Sequence, residues 1–162
     1  MRKKEKQYFS VALDLKGEPV KIIGAGKVAE RKILTLLETG AHIYVISPEL
    51  SPRLAGLFRK NKLVWFRRRV QKHDLSGAKI IISATDDQKT NKDISKWAKK
   101  MGILVNIVDN PRLSSFISPA ILHKDKATIA IHTNGNNPVF SRDLKNFLKE
   151  HWNEFLSYRD RL

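Results

Sequence analysis

Residues 20–47 read Val20-Lys21-Ile22-Ile23-Gly24-Ala25-Gly26-Lys27-Val28-Ala29-Glu30-Arg31-Lys32-Ile33-Leu34-Thr35-Leu36-Leu37-Glu38-Thr39-Gly40-Ala41-His42-Ile43-Tyr44-Val45-Ile46-Ser47. A short apolar run leads into Gly24-x-Gly26-x-x-Ala29. A segment of helical period follows, then Gly40, then a second apolar run. Strand, glycine turn, helix, turn and strand make up the first half of a dinucleotide-binding βαβ unit. Gly24 permits the tight turn, Gly26 admits a pyrophosphate close to the backbone, and Ala29 keeps helix and strand near each other. The free N–H groups and positive dipole at the helix start would hold the phosphates. Ile33, Leu36 and Leu37 continue an apolar stripe from Ala29, giving the helix one buried face. The competing reading is a βαβ turn whose glycines serve packing alone.

The fingerprint calls for an acidic residue at the end of the second strand, to bind the ribose. Here that strand ends Val45-Ile46-Ser47-Pro48-Glu49, so Ser47 is the candidate for a ribose hydroxyl and Glu49 comes slightly late. No Arg stands at the strand end to meet a 2′-phosphate. The expected cofactor is therefore NAD rather than NADP.

Working outward, the chain alternates strand-like and helix-like segments. The expected strands are Tyr8–Leu13, Val20–Ile23, His42–Ile46, Leu63–Phe66, Ile80–Ala84 and Ile103–Val108. Helices are expected over Val28–Glu38, after Pro52, and after Asp87 or Thr90 as cap. The nearly unbroken apolar run of Ile80-Ile81-Ile82-Ser83-Ala84 suits a parallel strand covered on both faces. This pattern predicts an α/β fold, a Rossmann-like doubly wound parallel sheet. Past Asp109 the regularity breaks at Pro111, Ser114-Ser115 and Pro119. Strand-like Ile121-Leu122 and Thr128–His132, the turn Asn134–Pro138 and an amphipathic helix over Ser141–Tyr158 follow. We therefore expect a cofactor-binding domain over 1–112 and a small strand/helix segment over 113–162.

Composition narrows the function classes. The chain has 162 residues, one domain's worth with a small appendage, and 41% hydrophobic residues, enough for a core. No apolar run is long enough to span a bilayer, and the basic N-terminus lacks a signal-peptide apolar region, so no membrane partner is expected and the cytoplasm is the default location. With no cysteine, disulfides, thiolate metal sites and thiol nucleophiles are excluded. His42, His73, His123, His132 and His151 show no ligand spacing, so no metal site is expected. Net charge is +15, and residues 53–100 hold 14 Lys/Arg against four Asp. Such a field gathers polyanions: nucleic acid, acidic lipid or a polycarboxylate small molecule. A solvated basic surface is the plainer alternative.

Ligands of open α/β sheets lie beyond the carboxyl ends of the strands. Three such ends carry polar residues: the Gly24–Gly26 turn, Ala84-Thr85-Asp86-Asp87 and Asn106-Ile107-Val108-Asp109-Asn110. Thr85, Asp86 and Asn106 are candidate cofactor contacts. Asp109 falls near the nicotinamide end, where a general acid or base is useful; as a turn former it equally suits a purely structural place.

Several further motifs then occur in order: Gly24-Ala25-Gly26-Lys27-Val28-Ala29-Glu30-Arg31-Lys32, Ser47-Pro48-Glu49-Leu50, Ala84-Thr85-Asp86-Asp87 with Asn91, Val105-Asn106-Ile107-Val108-Asp109, Ser115-Phe116-Ile117-Ser118-Pro119-Ala120 and Thr133-Asn134-Gly135-Asn136-Asn137-Pro138-Val139. In these, residues 8–150 resemble the dehydrogenase module of siroheme synthases, the precorrin-2 dehydrogenases. The resemblance implies NAD-dependent oxidation of precorrin-2 to sirohydrochlorin. It also implies NAD binding by Gly24, Ala25, Gly26, Lys27 and Val28 with Ser47, Pro48 and Glu49, a catalytic Asp109, substrate contacts from Phe116, Thr133 and Asn137, and a homodimer built through the C-terminal segment. Asn137 stands where the family often has Ser, and His123-Lys124 where it has Asp-Arg. A polycarboxylate tetrapyrrole fits the basic charge balance. Some relatives also insert iron, so a bifunctional dehydrogenase and ferrochelatase is the alternative. A basic nucleic-acid-binding module is a more distant one, since no recognition motif supports it.

Overall fold

A computed structural model describes residues 6–108 and 110–161. Contacts divide the chain into two compact units, one of residues 10–116 and one of residues 6–9 with 117–161. Each is described by itself.

The larger unit is a five-stranded sheet in the order β3-β2-β1-β4-β5. Its strands are β1 (Pro19–Ile23), β2 (His42–Ile46), β3 (Val64–Phe66), β4 (Ile80–Ser83) and β5 (Leu104–Ile107), and every pairing is parallel. The alternation of side chains along each strand divides its apolar run between two cores. Val20, Ile22, Ile43, Val45, Ile80 and Ile82 join Ile33 of α1 (Lys27–Leu37) and Leu54 of α2 (Pro52–Arg59) on one face. Ile23, Ile81, Val105 and Ile107 join Leu75 and the Ile94–Ala98 stripe of α3 (Gln88–Lys100) on the other. This is the doubly wound arrangement expected from the alternating elements.

Local chemistry sets the helix starts. The Ser51 hydroxyl accepts from Leu54 N–H with Pro52 at the first helical position, and the Asp87 carboxylate accepts from Lys89 and Thr90 N–H groups. Hydrogen bonds from Thr90 hold the Asp87 carboxyl below the usual carboxylate range.

The edges of the sheet are closed differently. Beyond β3, Arg67 and Arg68 lie over the rings of Trp65 and Phe66 at 5.7 Å. At β5, the Ser114 and Ser115 hydroxyls each accept from strand N–H groups, Ile107 and Val105 respectively, at 2.8 Å. The serine pair that reads as a break in the sequence thus takes the place of a sixth strand.

The smaller unit holds an antiparallel hairpin, β6 (Ala120–Lys124) with β7 (Ala127–Ile131), followed by α4 (Pro138–Glu150) and α5 (Trp152–Arg159). Trp152 Nε1–H donates to Asp125 at 2.5 Å, tying the hairpin turn to α5.

Two expected elements differ. Residues 8–13 form no strand, and Phe9 and Val11 are largely exposed; apolar alternation without a ladder partner is insufficient. The single helix expected over Ser141–Tyr158 starts earlier and is broken. Asn137 caps it by accepting from Phe140 N–H at 2.9 Å, and at His151 the backbone leaves helical geometry.

Candidate functional site

β1 and β4 are neighbours whose connections leave toward opposite faces, so a crevice opens beyond their carboxyl ends. Gly24 sits there with φ +95°; a Cβ on it would lie 2.5 Å from Ala84 O. Only glycine lets the β1 turn pack against the β4 turn. Gly26 differs: a Cβ there would meet nothing within 4 Å, and it caps α1 with no side-chain hydrogen bond. The amide end of α1 therefore faces open space, and a side chain at 26 would fill it. Ala29, fully buried, brings α1 onto the sheet.

Next to this turn lies a cavity of about 310 Å³, walled by Val28 of α1, Ala84 and Thr85 after β4, Asn91 and Lys92 of α3, and Val108 and Asn110 after β5. Val28 and Lys27 are exposed at the start of α1, whereas Ala25 is buried. On the other side of the glycine turn, the loop after β2 is fastened by Ser51, whose N–H donates to Ala25 O at 3.3 Å and whose hydroxyl donates to Glu30 at 2.7 Å. The arrangement provides an anion cradle at α1, with the fastened β2 loop on one side and the cavity on the other.

A family model described as "Putative NAD(P)-binding" matches residues 11–120. A solved structure titled "SirC, precorrin-2 dehydrogenase" superposes with a TM-score of 0.78 at 32% identity, covering 89% of this chain and 71% of that one. This chain belongs to the precorrin-2 dehydrogenase family. Among curated relatives, a siroheme synthase of Nitrosomonas eutropha is 40% identical over 139 residues, 85% of this chain and 29% of its own length. Siroheme synthase 1 of Aeromonas salmonicida is 36% identical over 142 residues, 88% of this chain and 30% of its own length. The chain spans about 30% of the length of these siroheme synthases.

The family's dinucleotide fits the residues present: a glycine forced by close packing, a second glycine facing open space, and a helix start with no side-chain cap bond. The remaining candidates are placed unevenly. Thr85 and Asp86 reach the cavity wall; Thr85 Oγ1 accepts from Asp87 N–H at 3.2 Å, which leaves its own hydrogen to donate. Ser47 is 4% exposed and its hydroxyl donates to Glu49 O at 2.6 Å, so its hydrogen is spent within the loop. Pro48 and Glu49 are exposed. Asn106 is buried and does not wall the cavity; its Nδ2 donates to Phe116 O at 3.1 Å, while its Oδ1 has no partner among the described residues. Phe116 packs its side chain against the core on the α1 face. Thr133 and Asn137 belong to the smaller unit, where Thr133 Oγ1 accepts from Asn137 N–H at 2.8 Å. Asp109 lies outside the described residues.

Two features escaped the sequence reading. Glu30 and Ser51 form the latch on the β2 loop, with Arg53 3.5 Å from Glu30. Asn91, named above only as part of a motif, stands on the cavity wall. Its signal was a polar residue in register with the stripe that Ile94 and Ala98 bury against the sheet.

Proposed function

We propose that this protein oxidises precorrin-2 to sirohydrochlorin with NAD. The observation that carries this reading is the adjacency of the open α1 amide end to a cavity whose wall includes Val28 of that same helix. A dinucleotide whose pyrophosphate rests at Gly26 has its nicotinamide end directed toward the β4 and β5 carboxyl ends. NAD supplies the hydride acceptor when bound. The chain's own residues hold the phosphates, bring the two ring systems together and accept the proton. Oxidation removes one hydride and one proton from the macrocycle, which gains a conjugated double bond. Asp109 is the assigned proton acceptor, and Val108 and Asn110 on either side of it wall the cavity. Lys92 on the cavity wall suits the acetate and propionate carboxylates of the substrate. Substrate contacts from Thr133 and Asn137 rest on the family resemblance.

We further infer a cytoplasmic homodimer built through the smaller unit. Among the described residues no helix is long and apolar enough to cross a membrane. Phe140, Phe147, Phe155 and Tyr158 of α4 and α5 are each at least half exposed, an unusual number of aromatics for a small unit.

The test is NADH absorbance on mixing the protein with NAD and precorrin-2 under anaerobic conditions. Asp109→Ala is expected to abolish turnover and leave NAD affinity within about threefold, since it removes a proton acceptor and no cofactor contact. Normal turnover by that variant would remove Asp109 from its role. Sirohydrochlorin offered with ferrous or cobaltous ion and no NAD, followed by visible absorbance, reports any chelatase activity separately.

A further inference from the structure

This inference rests on the proposed oxidation and concerns the turn after β4. Residues Ala84–Asp86 form the floor shared by the dinucleotide turn and the cavity. Ala84 O abuts Gly24 on one side, and Ala84 and Thr85 wall the cavity on the other. The height of this floor sets where a nicotinamide directed from the glycine turn into the cavity comes to rest against the macrocycle.

Asn91 fixes that height. The Ser83 hydroxyl, on a residue 1% exposed, donates to Asn91 Oδ1 at 2.6 Å, and Asn91 Nδ2 donates to Thr85 O at 2.8 Å. One carboxamide thus grips the chain on both sides of Ala84. Only a group with an acceptor and a donor on one plane can do so; a carboxylate lacks the donor and an alkyl group lacks both. Were packing the sole demand, an apolar residue would continue the Ile94–Ala98 stripe without the cost of desolvating an amide. Nδ2 also carries a second hydrogen to offer a ligand in the cavity that Asn91 lines.

We propose that Asn91 is a positioning residue for hydride transfer, holding the Ala84–Thr85 turn at the height that brings nicotinamide and macrocycle together. Reacting atoms must approach to about 3–3.5 Å, and a misplacement of about 1 Å costs roughly 100-fold in rate.

The experiment uses the full chain at saturating NAD and precorrin-2. Asn91→Ala is expected to lower kcat by about 10- to 100-fold with KM for NAD changed less than about threefold. Asn91→Asp keeps the shape and the acceptor for Ser83 but cannot donate to Thr85 O, and is expected to lose kcat equally. Ser83→Ala removes one of the two grips but leaves the Thr85 bond, and is expected to lose less kcat than either Asn91 variant. A second readout needs no turnover: the emission of bound NADH, compared at equal occupancy, should change in both Asn91 variants and change less in Ser83→Ala. Wild-type kcat in either Asn91 variant overturns the proposal. So does a loss of kcat matched by the loss of folded protein with unchanged NADH emission, or failure of both variants to fold, since either outcome assigns Asn91 to stability alone. If the unaltered protein binds NADH yet leaves precorrin-2 intact, the proposed function fails, and the NADH emission then decides the role of Asn91.

Discussion

A Cβ at Gly24 would press on Ala84 O from 2.5 Å in a backbone region that L residues avoid, whereas a Cβ at Gly26 would project into open space. The two substitutions therefore separate stability from binding. Gly24→Ala is expected to destabilise the fold by at least about 1–3 kcal/mol, lowering Tm by roughly 2–4 °C per kcal/mol. Gly26→Ala should leave Tm nearly unchanged, because its φ of −77° suits any residue, yet weaken NADH binding by about tenfold or more, equivalent to about 1.4 kcal/mol. Thermal melts paired with NADH titrations check both. Equal Tm losses for the two variants would contradict this division of labour.

Between elements, hydrogen-bonded side chains do what further strands or longer helices would otherwise do. The Ser114 hydroxyl, 1% exposed, accepts from Ile107 N–H at 2.8 Å on the β5 edge. Ser114→Ala leaves that buried donor unpaired and should cost about 1–3 kcal/mol in urea unfolding. Beside the central strand β1, Asp74 accepts two bonds from Arg68, at 2.6 and 2.5 Å, and one from Gln71 N–H at 2.7 Å, while its carbonyl accepts from Lys21 of β1 at 2.5 Å. Burial alone would raise the Asp74 carboxyl, but the Arg68 and Gln71 bonds with the Arg68 and His73 charges outweigh it and hold it below the usual carboxylate range. A depressed folded value means that the contribution is complete above the unfolded value of about 3.9 and is lost as pH falls through the lower folded value. Tm should therefore fall below about pH 4 more steeply in the unaltered protein than in Asp74→Asn, which has no charge there to titrate. Parallel profiles for the two would show that this ion pair contributes nothing to acid sensitivity.

Over the molecule as a whole, a net charge of +15 suits the proposed polycarboxylate substrate. The exposed lysines of α3, Lys89, Lys92, Lys96, Lys99 and Lys100, follow one another along the helix, with Lys92 on the cavity wall. Long-range attraction of this kind raises the rate of encounter and is screened beyond about 10 Å at 0.1 M salt. The kcat/KM for precorrin-2 should thus fall severalfold as salt rises from about 50 to 500 mM. Lys92→Glu should raise the KM for precorrin-2 while leaving that for NAD little changed. A salt-independent kcat/KM, or equal effects of Lys92→Glu on both substrates, would show that the charge serves solubility alone.

The glycine turn, the parallel sheet and the split of its apolar runs were legible in the residues because each follows from local rules: φ at Gly24, period two in strands, period 3.6 in helices. The motifs in their order carried the family, since each spacing reflects a turn of fixed length. Neighbours distant in the chain were not legible. Residues 8–13 alternate like a strand but found no ladder to join, and the Ser114-Ser115 pair, which looks like a break, closes the sheet. That the Ser47 hydroxyl donates to Glu49 O was likewise not readable from the residues. Asn91 gained its place from Ser83 and Thr85, eight and six residues away across a turn. A hydrogen bond depends on where two chain segments meet, and a list of residues carries their donors and acceptors without saying which pairs packing will bring within 3 Å.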